Sequence, residues 1–157
     1  MKTPNINENS LLIVIPSADN LTLENARRLT GPGLLWKHPG AVLDVFFHDI
    51  NSEHLIKIWN QQARRVLDAI GWQNQHAIDR RFDCGVNLGI SAPMDQLYSA
   101  VFAAQTAWHF CAAELLKQPS GEFKAMISDL QSVMAQEANP RLIALIKSAE
   151  DHGVDVL

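Results

Sequence analysis

The chain is short of the residues that most directly announce chemistry. It holds two cysteines in 157 residues. Cys84 and Cys111 stand in different segments without CxxC spacing, which excludes a zinc ribbon or dithiol redox motif and reads as a pair of small buried hydrophobes. The six histidines form no HxxxH or HExxH pair. His48 and His54 fall across a strand-to-helix junction, the others are scattered, and His109 reads as a packed or rim residue, so no metal site is expected. Gly-x-Ser-x-Gly is missing, and Ser91 and Ser120 read as caps rather than nucleophiles. No apolar run approaches the roughly 20 residues of a membrane helix. The run Leu11 to Ile15 follows a polar leader and is not a signal peptide. These absences lead to the expectation of a soluble, cytoplasmic chain with no membrane partner and no catalytic residue identifiable from motifs.

What is present is the composition of a globular domain: 47% hydrophobic and 19% charged residues, with a net charge of −4. That balance does not fit a nucleic-acid binder. It is also uneven. Residues 1–81 carry nine Lys/Arg against eight Asp/Glu, a net +1, and residues 82–157 carry four against nine, a net −5. All three double arginines, Arg27-Arg28, Arg64-Arg65 and Arg80-Arg81, lie in the first part. Solvated surface pairs and a shared anion-binding face are both readings of that clustering.

Residues 1–20 read as a loose leader with an apolar strap, Leu11 to Ile15, ended by Pro16. Asp19 to Leu29 reads as holding a helical turn. Gly31-Pro32-Gly33 and Pro39-Gly40 then punctuate the chain. Ala41 to His48 is predicted as a strand, and Ser52 as the cap of a helix in which Leu55, Trp59, Gln62, Val66 and Ile70 recur, stopped at Gly71. "RFDCGVNLGIS" is predicted as one strand: Phe82, Cys84, Val86, Leu88 and Ile90 alternate with Asp83, Gly85, Asn87 and Gly89. The small second face of that strand implies a bulge or a close approach by a helix or a ligand. A long helix, Met94 to Lys117, follows with its stripe at Leu97, Val101, Ala104, Trp108, Ala112 and Leu115, and six alanines allow close packing. Another helix follows Pro119-Ser120-Gly121. A last helix, capped by Asn139 and opened by Pro140, ends at Gly153. Residues 154–157 read as the start of a strand that leads into a further module. The expected fold is α+β, a small mixed or antiparallel sheet covered by three to four helices, with residues 21–153 as a single domain.

"RRLTGPGLLWKHPG", residues 27–40, is the segment with most binding character. Pro32 removes a backbone N–H and no Lys-Ser/Thr follows, so it is not a nucleotide-phosphate loop. It reads as a structural turn, or as a carboxylate- or phosphate-binding element through its guanidinium groups. Asp44, Asp49 and Asp83 are candidate acids at strand edges, with nothing in one sequence to say whether any two meet.

Three stretches carry a resemblance. "RRLTGPGLLW" followed by "AVLDV" resembles the opening of cyanophycin synthetases and related Mur-ligase-like proteins. "DQLYSAVFAAQTAWHFC" is similar to a helix of the same relatives, and "EANPRLIALIKSAEDHGVDVL" is similar to the segment before their nucleotide-binding modules. Gly33 departs from the family, which has Asn after Gly-Pro. The resemblance implies a non-catalytic N-terminal domain of an ATP-dependent amide ligase. ATP and Mg would be used by downstream modules of the same chain, since no cofactor motif occurs within these residues. Within that reading an acidic peptide or polymer is the expected substrate: Arg27, Arg28, Arg80 and Arg81 are expected to hold it because they cluster in the less acidic half, and Gly31, Pro32, Gly33 and Trp36 are expected to face it as the domain's entry loop. Two other readings stay open: a docking or homo-oligomerisation domain with an exposed apolar patch at Trp36 and Trp72, and a self-sufficient small enzyme.

Overall fold

The richest β-forming run, Gly40 to Phe47, lies at the centre of the molecule. In the computed structural model, which describes residues 13–30 and 37–138, it is strand β2 (Gly40–Phe47) of a four-stranded sheet. The other strands are β1 (Leu21–Leu29), β3 (Ala77–Phe82) and β4 (Gly85–Ser91). The strand order is β1-β2-β4-β3, with every neighbouring pair antiparallel. Helix α1 (Ser52–Ala69) connects β2 to β3. A 3-10 turn (Met94–Gln96) leads from β4 into α2 (Leu97–Leu116), and α3 (Phe123–Glu137) follows. The fold is α+β.

Register explains which face is buried. Ala41 pairs with Ile90, Leu43 with Leu88 and Val45 with Val86, so all six side chains share one face. None is more than 1% exposed. Against this face pack Leu55, Trp59, Ala63, Val66 and Leu67 of α1 and the alanine-rich side of α2, where Ala100, Ala103, Ala104 and Ala107 are buried. Small side chains let α2 approach both the sheet and α1. The other side of α2 is covered by Ile127, Leu130 and Val133 of α3, so α2 is buried nearly all round.

Several boundaries differ from the sequence reading. Residues 21–29 form a strand, not a helical turn. Between Leu23 and Asn25 the register slips by one residue, a bulge that puts Leu21 and Leu23 on the core face before it and Ala26 after it. This change of phase hides the alternation. The supposed single strand from Phe82 is a hairpin: Phe82 pairs with Gly85 across the turn Asp83-Cys84. Val86, Leu88 and Ile90 face the core as expected, whereas Phe82 lies on the opposite face and Cys84 is exposed in the turn. Asn51, not Ser52, caps α1, its Oδ1 accepting the His54 N–H at 2.9 Å. Gly71 does provide the left-handed stop (φ 83°). Neither Ser91 nor Ser120 caps a helix. Ser91 ends β4, its hydroxyl accepting the His76 N–H and donating to Gln75 Oε1, and α3 begins at Glu122 without a side-chain cap. The expected last helix from Asn139 and the strand start at residues 154–157 lie outside the described residues, as do Leu11 and Leu12 of the strap. Ile13 and Ile15 are half-buried against the core, and His109 ties the strap down. Its Nδ1 lies 2.6 Å from the Val14 carbonyl, and its Nε2 accepts the Gly121 N–H at 2.8 Å.

Candidate functional site

The face of the sheet away from α1 and α2 carries the most organised polar side chains. Consecutive strand residues point to opposite faces, so each strand-borne double arginine is split. Arg27 pairs in register with Val42, and Arg80 with Asn87, which puts both on this outer face. Arg28, opposite Ala41, and Arg81, opposite Val86, belong to the helix side, at its rim. There the Arg28 guanidinium lies 4.4 Å from the centroid of the Tyr98 ring. The four arginines singled out from the sequence therefore do not share one face.

Between Arg27 and Arg80 a polar line runs diagonally across the outer face through Asp44 and Asn87, beside the apolar Val42 and Ile78 that share the face. Arg27 donates through Nε to Asp44 Oδ2 (3.2 Å) and through Nη2 to Asp44 Oδ1 (3.0 Å), a bidentate pair between β1 and β2. Asn87 of β4 donates to the same Oδ1 at 2.6 Å, and Arg80 of β3 stands next in the row. The Asp44 side chain is 19% exposed and that of Arg27 50%. The hydrogen bond to Asp44 raises the Arg27 pKa above its ordinary value, outweighing the opposing effect of burial, and the carboxylate's charge adds a lesser contribution. With three hydrogen bonds accepted, Asp44 is an orienting group and not a free general base. It fixes Arg27 while leaving other guanidinium N–H groups to meet an anion. Arg80 is exposed and has no ion-pair partner among the described residues.

The floor of this face is made by Gly85 and Gly89. A β-carbon on Gly89 would lie 2.9 Å from Cγ1 of Ile78, and one on Gly85 would collide with the Val45 carbonyl and come within 2.8 Å of the Phe82 ring. The close approach predicted for these glycines thus comes from side chains of the neighbouring strand β3 and the β2 backbone, and neither residue is a bulge. Phe82 in turn meets Phe46 edge-on, with centroids 5.3 Å apart, and bounds the polar row on one side.

Other sequence candidates are placed elsewhere. Gly31, Pro32, Gly33 and Trp36 lie outside the described residues. Arg64 is structural: it donates to the carbonyls of Trp72, Gln73 and Gln75 and to the Asp68 carboxylate, fastening the α1–β3 connection. Trp72 is 8% exposed, which removes it from an apolar docking patch. Asp49, in a left-handed conformation (φ 56°), meets His48 Nδ1 at 3.3 Å, and Asp83 sits in the exposed hairpin turn. The three acids considered from the sequence do not converge. Cys111 is buried, and burial pushes its thiol well above the ordinary range, so it is inert. Among the described residues no three His, Cys, Asp or Glu side chains gather to hold a metal ion, and no helix is long and apolar enough to cross a membrane. Asn87 was missed from the sequence. Its signal was a polar residue on the second face of a strand, between two glycines.

No protein-family model matches the chain, and no curated protein sequence matches it.

Proposed function

We propose that the chain is a non-catalytic domain of an ATP-dependent amide ligase, and that the outer face of its sheet holds an acidic peptide or polymer for catalysis by other modules. The resemblance described above supports the ligase assignment. The face assignment rests on one observation: Arg27 is oriented by Asp44, while Arg80 has no acidic partner among the described residues. The two arginines stand on the outermost strands, three inter-strand spacings apart, roughly 15 Å. An extended chain rises about 3.4 Å per residue, so carboxylates at i and i+4, which point the same way, match that separation. Arg28 and Arg81 contribute long-range attraction only.

Titration of the protein with a short poly-aspartate, read by backbone amide shifts, tests the face. Expected are saturable shifts on all four strands, including β3 around Arg80, weakened by salt, and a roughly tenfold loss of affinity in the Arg27→Ala/Arg80→Ala double variant, as for removing charge-assisted hydrogen bonds. Equal affinity in that variant refutes the assignment. The ligase setting is tested separately by the mass of the native protein in its source cell. A species of about the 17.5 kDa of this chain refutes it.

A docking or oligomerisation role has one observation in its favour, the exposed Phe46 beside Phe82 on the same face. A concentration-dependent mass in sedimentation, abolished by Phe46→Ser, would establish it in place of substrate holding.

A further inference from the structure

A second polar recess lies on the opposite side of the molecule from the sheet's outer face. It is a cleft of about 360 Å³ between α1, the last two turns of α2 and the segment after α2, lined by Gln62, Arg65, Phe110, Glu114, Lys117 and Gln118 among others. That volume lies at the small end of ligand sites, which run from roughly 300 Å³. Arg65 is held in place: its guanidinium stacks 3.7 Å from the centroid of the Phe123 ring and 5.3 Å from that of Phe110, and Nη1 donates to Gln62 Oε1 at 3.3 Å. Only one of its N–H groups is thereby used, and the others have no partner among the described residues. Glu114, Lys117 and Gln118 use no side-chain polar atom in a hydrogen bond or ion pair among the described residues. Two cations and one carboxylate thus border one cleft without neutralising one another.

We propose that this cleft binds a free α-amino acid as its zwitterion. The ligand carboxylate lies on Arg65 and Lys117, and its ammonium on Glu114, at the C-terminal end of α2. Three arguments converge on that ligand. A planar guanidinium fixed by stacking and by Gln62 presents its remaining N–H groups to a carboxylate with little ordering still to be done. A helix C-terminus carries partial negative charge and, with Glu114, favours a cationic group. A simple anion would leave Glu114 facing like charge, and a simple cation would face Arg65 and Lys117, so a small molecule carrying both charges is the one that complements all three side chains. The amides of Gln62 and Gln118 provide hydrogen bonds for a polar side chain. This proposal does not depend on the ligase reading or on the sheet face.

The test is amide-shift titration of the isotope-labelled chain with each standard amino acid, followed by the α-N-acetyl derivative and the methyl ester of the best ligand. At least one polar amino acid should give saturable shifts confined to α1, the end of α2 and residues 117–121, at concentrations up to about 10 mM. Glu114→Gln and Lys117→Ala, both exposed positions, should each weaken binding roughly tenfold, and each blocked derivative should lose a similar factor. The Arg27→Ala/Arg80→Ala variant should bind as the parent does. The proposal is overturned by the absence of saturable shifts for every amino acid, or by equal binding of the blocked derivatives or of the two cleft variants.

Discussion

Replacing Glu137 should destabilise this fold more than replacing any other carboxylate among the described residues. The reason lies at the start of α2, where Gln96 occupies the capping position but makes no side-chain cap. The missing acceptor comes from the end of α3. Glu137, 5% exposed, accepts the Tyr98 N–H at 2.8 Å through Oε2, and through Oε1 the Ser99 N–H and hydroxyl at 2.7 Å each. A carboxylate here satisfies two orphan helix donors and meets the positive end of the helix dipole. Glu137→Ala leaves two N–H groups and a hydroxyl without their acceptor in a buried place. At about 1–3 kcal/mol for each lost partner, with partial rescue by water, a total of roughly 3–5 kcal/mol follows. Glu137→Gln keeps one acceptor oxygen but turns an NH2 group toward a donor, so about 2–3 kcal/mol is expected. Urea unfolding followed by the fluorescence of the buried Trp59 and Trp108 gives both values, and hydrogen exchange should be fastest relative to the parent at Tyr98 and Ser99. A Glu137→Ala variant within about 0.5 kcal/mol of the parent, the range of ordinary surface substitutions, would refute the capping account.

Three other outcomes are expected. A thiol reagent under native conditions should label Cys84 in its exposed turn and leave Cys111 unmodified until the protein is unfolded, as intact-mass measurement would show; native labelling of both would contradict the burial of Cys111. Because His109 Nε2 accepts the Gly121 N–H, the ring proton belongs on Nδ1, donating to Val14. Ring nitrogen shifts should show that tautomer, and His109→Ala should cost about 2 kcal/mol in the same urea assay. Lys117 ends α2 in a left-handed conformation (φ 52°, ψ 43°) where glycine carries no β-carbon penalty, so Lys117→Gly should raise stability by about 0.5–1 kcal/mol while weakening amino-acid binding in the cleft roughly tenfold.

What the sequence makes legible follows from where its periodicity is unbroken. In α1, Leu55, Trp59, Val66 and Ile70 recur at helical spacing and are buried, with Gly71 in the conformation its position demands. In β2 and β4 the alternating apolar residues are those that meet α1 and α2. The readings fail where local signals conflict with pairing. In β1 a one-residue bulge reverses the alternation. The β3–β4 hairpin turns at Asp83-Cys84 without a positive φ at either residue, and hence without the Asn-Gly or Asp-Gly sign that marks most two-residue hairpins. The alternation Phe82, Cys84, Val86 runs straight through that turn.

The site was less legible for a geometric reason. Adjacent arginines look like a unit in one dimension, yet in a strand they are the residues least able to act together, because a period of two sends them to opposite faces. The pairing that matters is across strands, and register brings Arg27 beside Asp44 and Asp44 beside Asn87 from segments that share no sequence signal. This places a limit on the proposed substrate face. An acidic chain lying on it meets two guanidinium groups at short range, not four, with the charge of Asp44 partly offsetting one of them. Affinity must therefore come from many weak encounters along a polymer rather than from one tight contact. A long poly-aspartate should then bind far more tightly than a two-carboxylate peptide through its raised effective concentration. Equal affinity for the two would show that the face takes one carboxylate pair and gains nothing from polymer length.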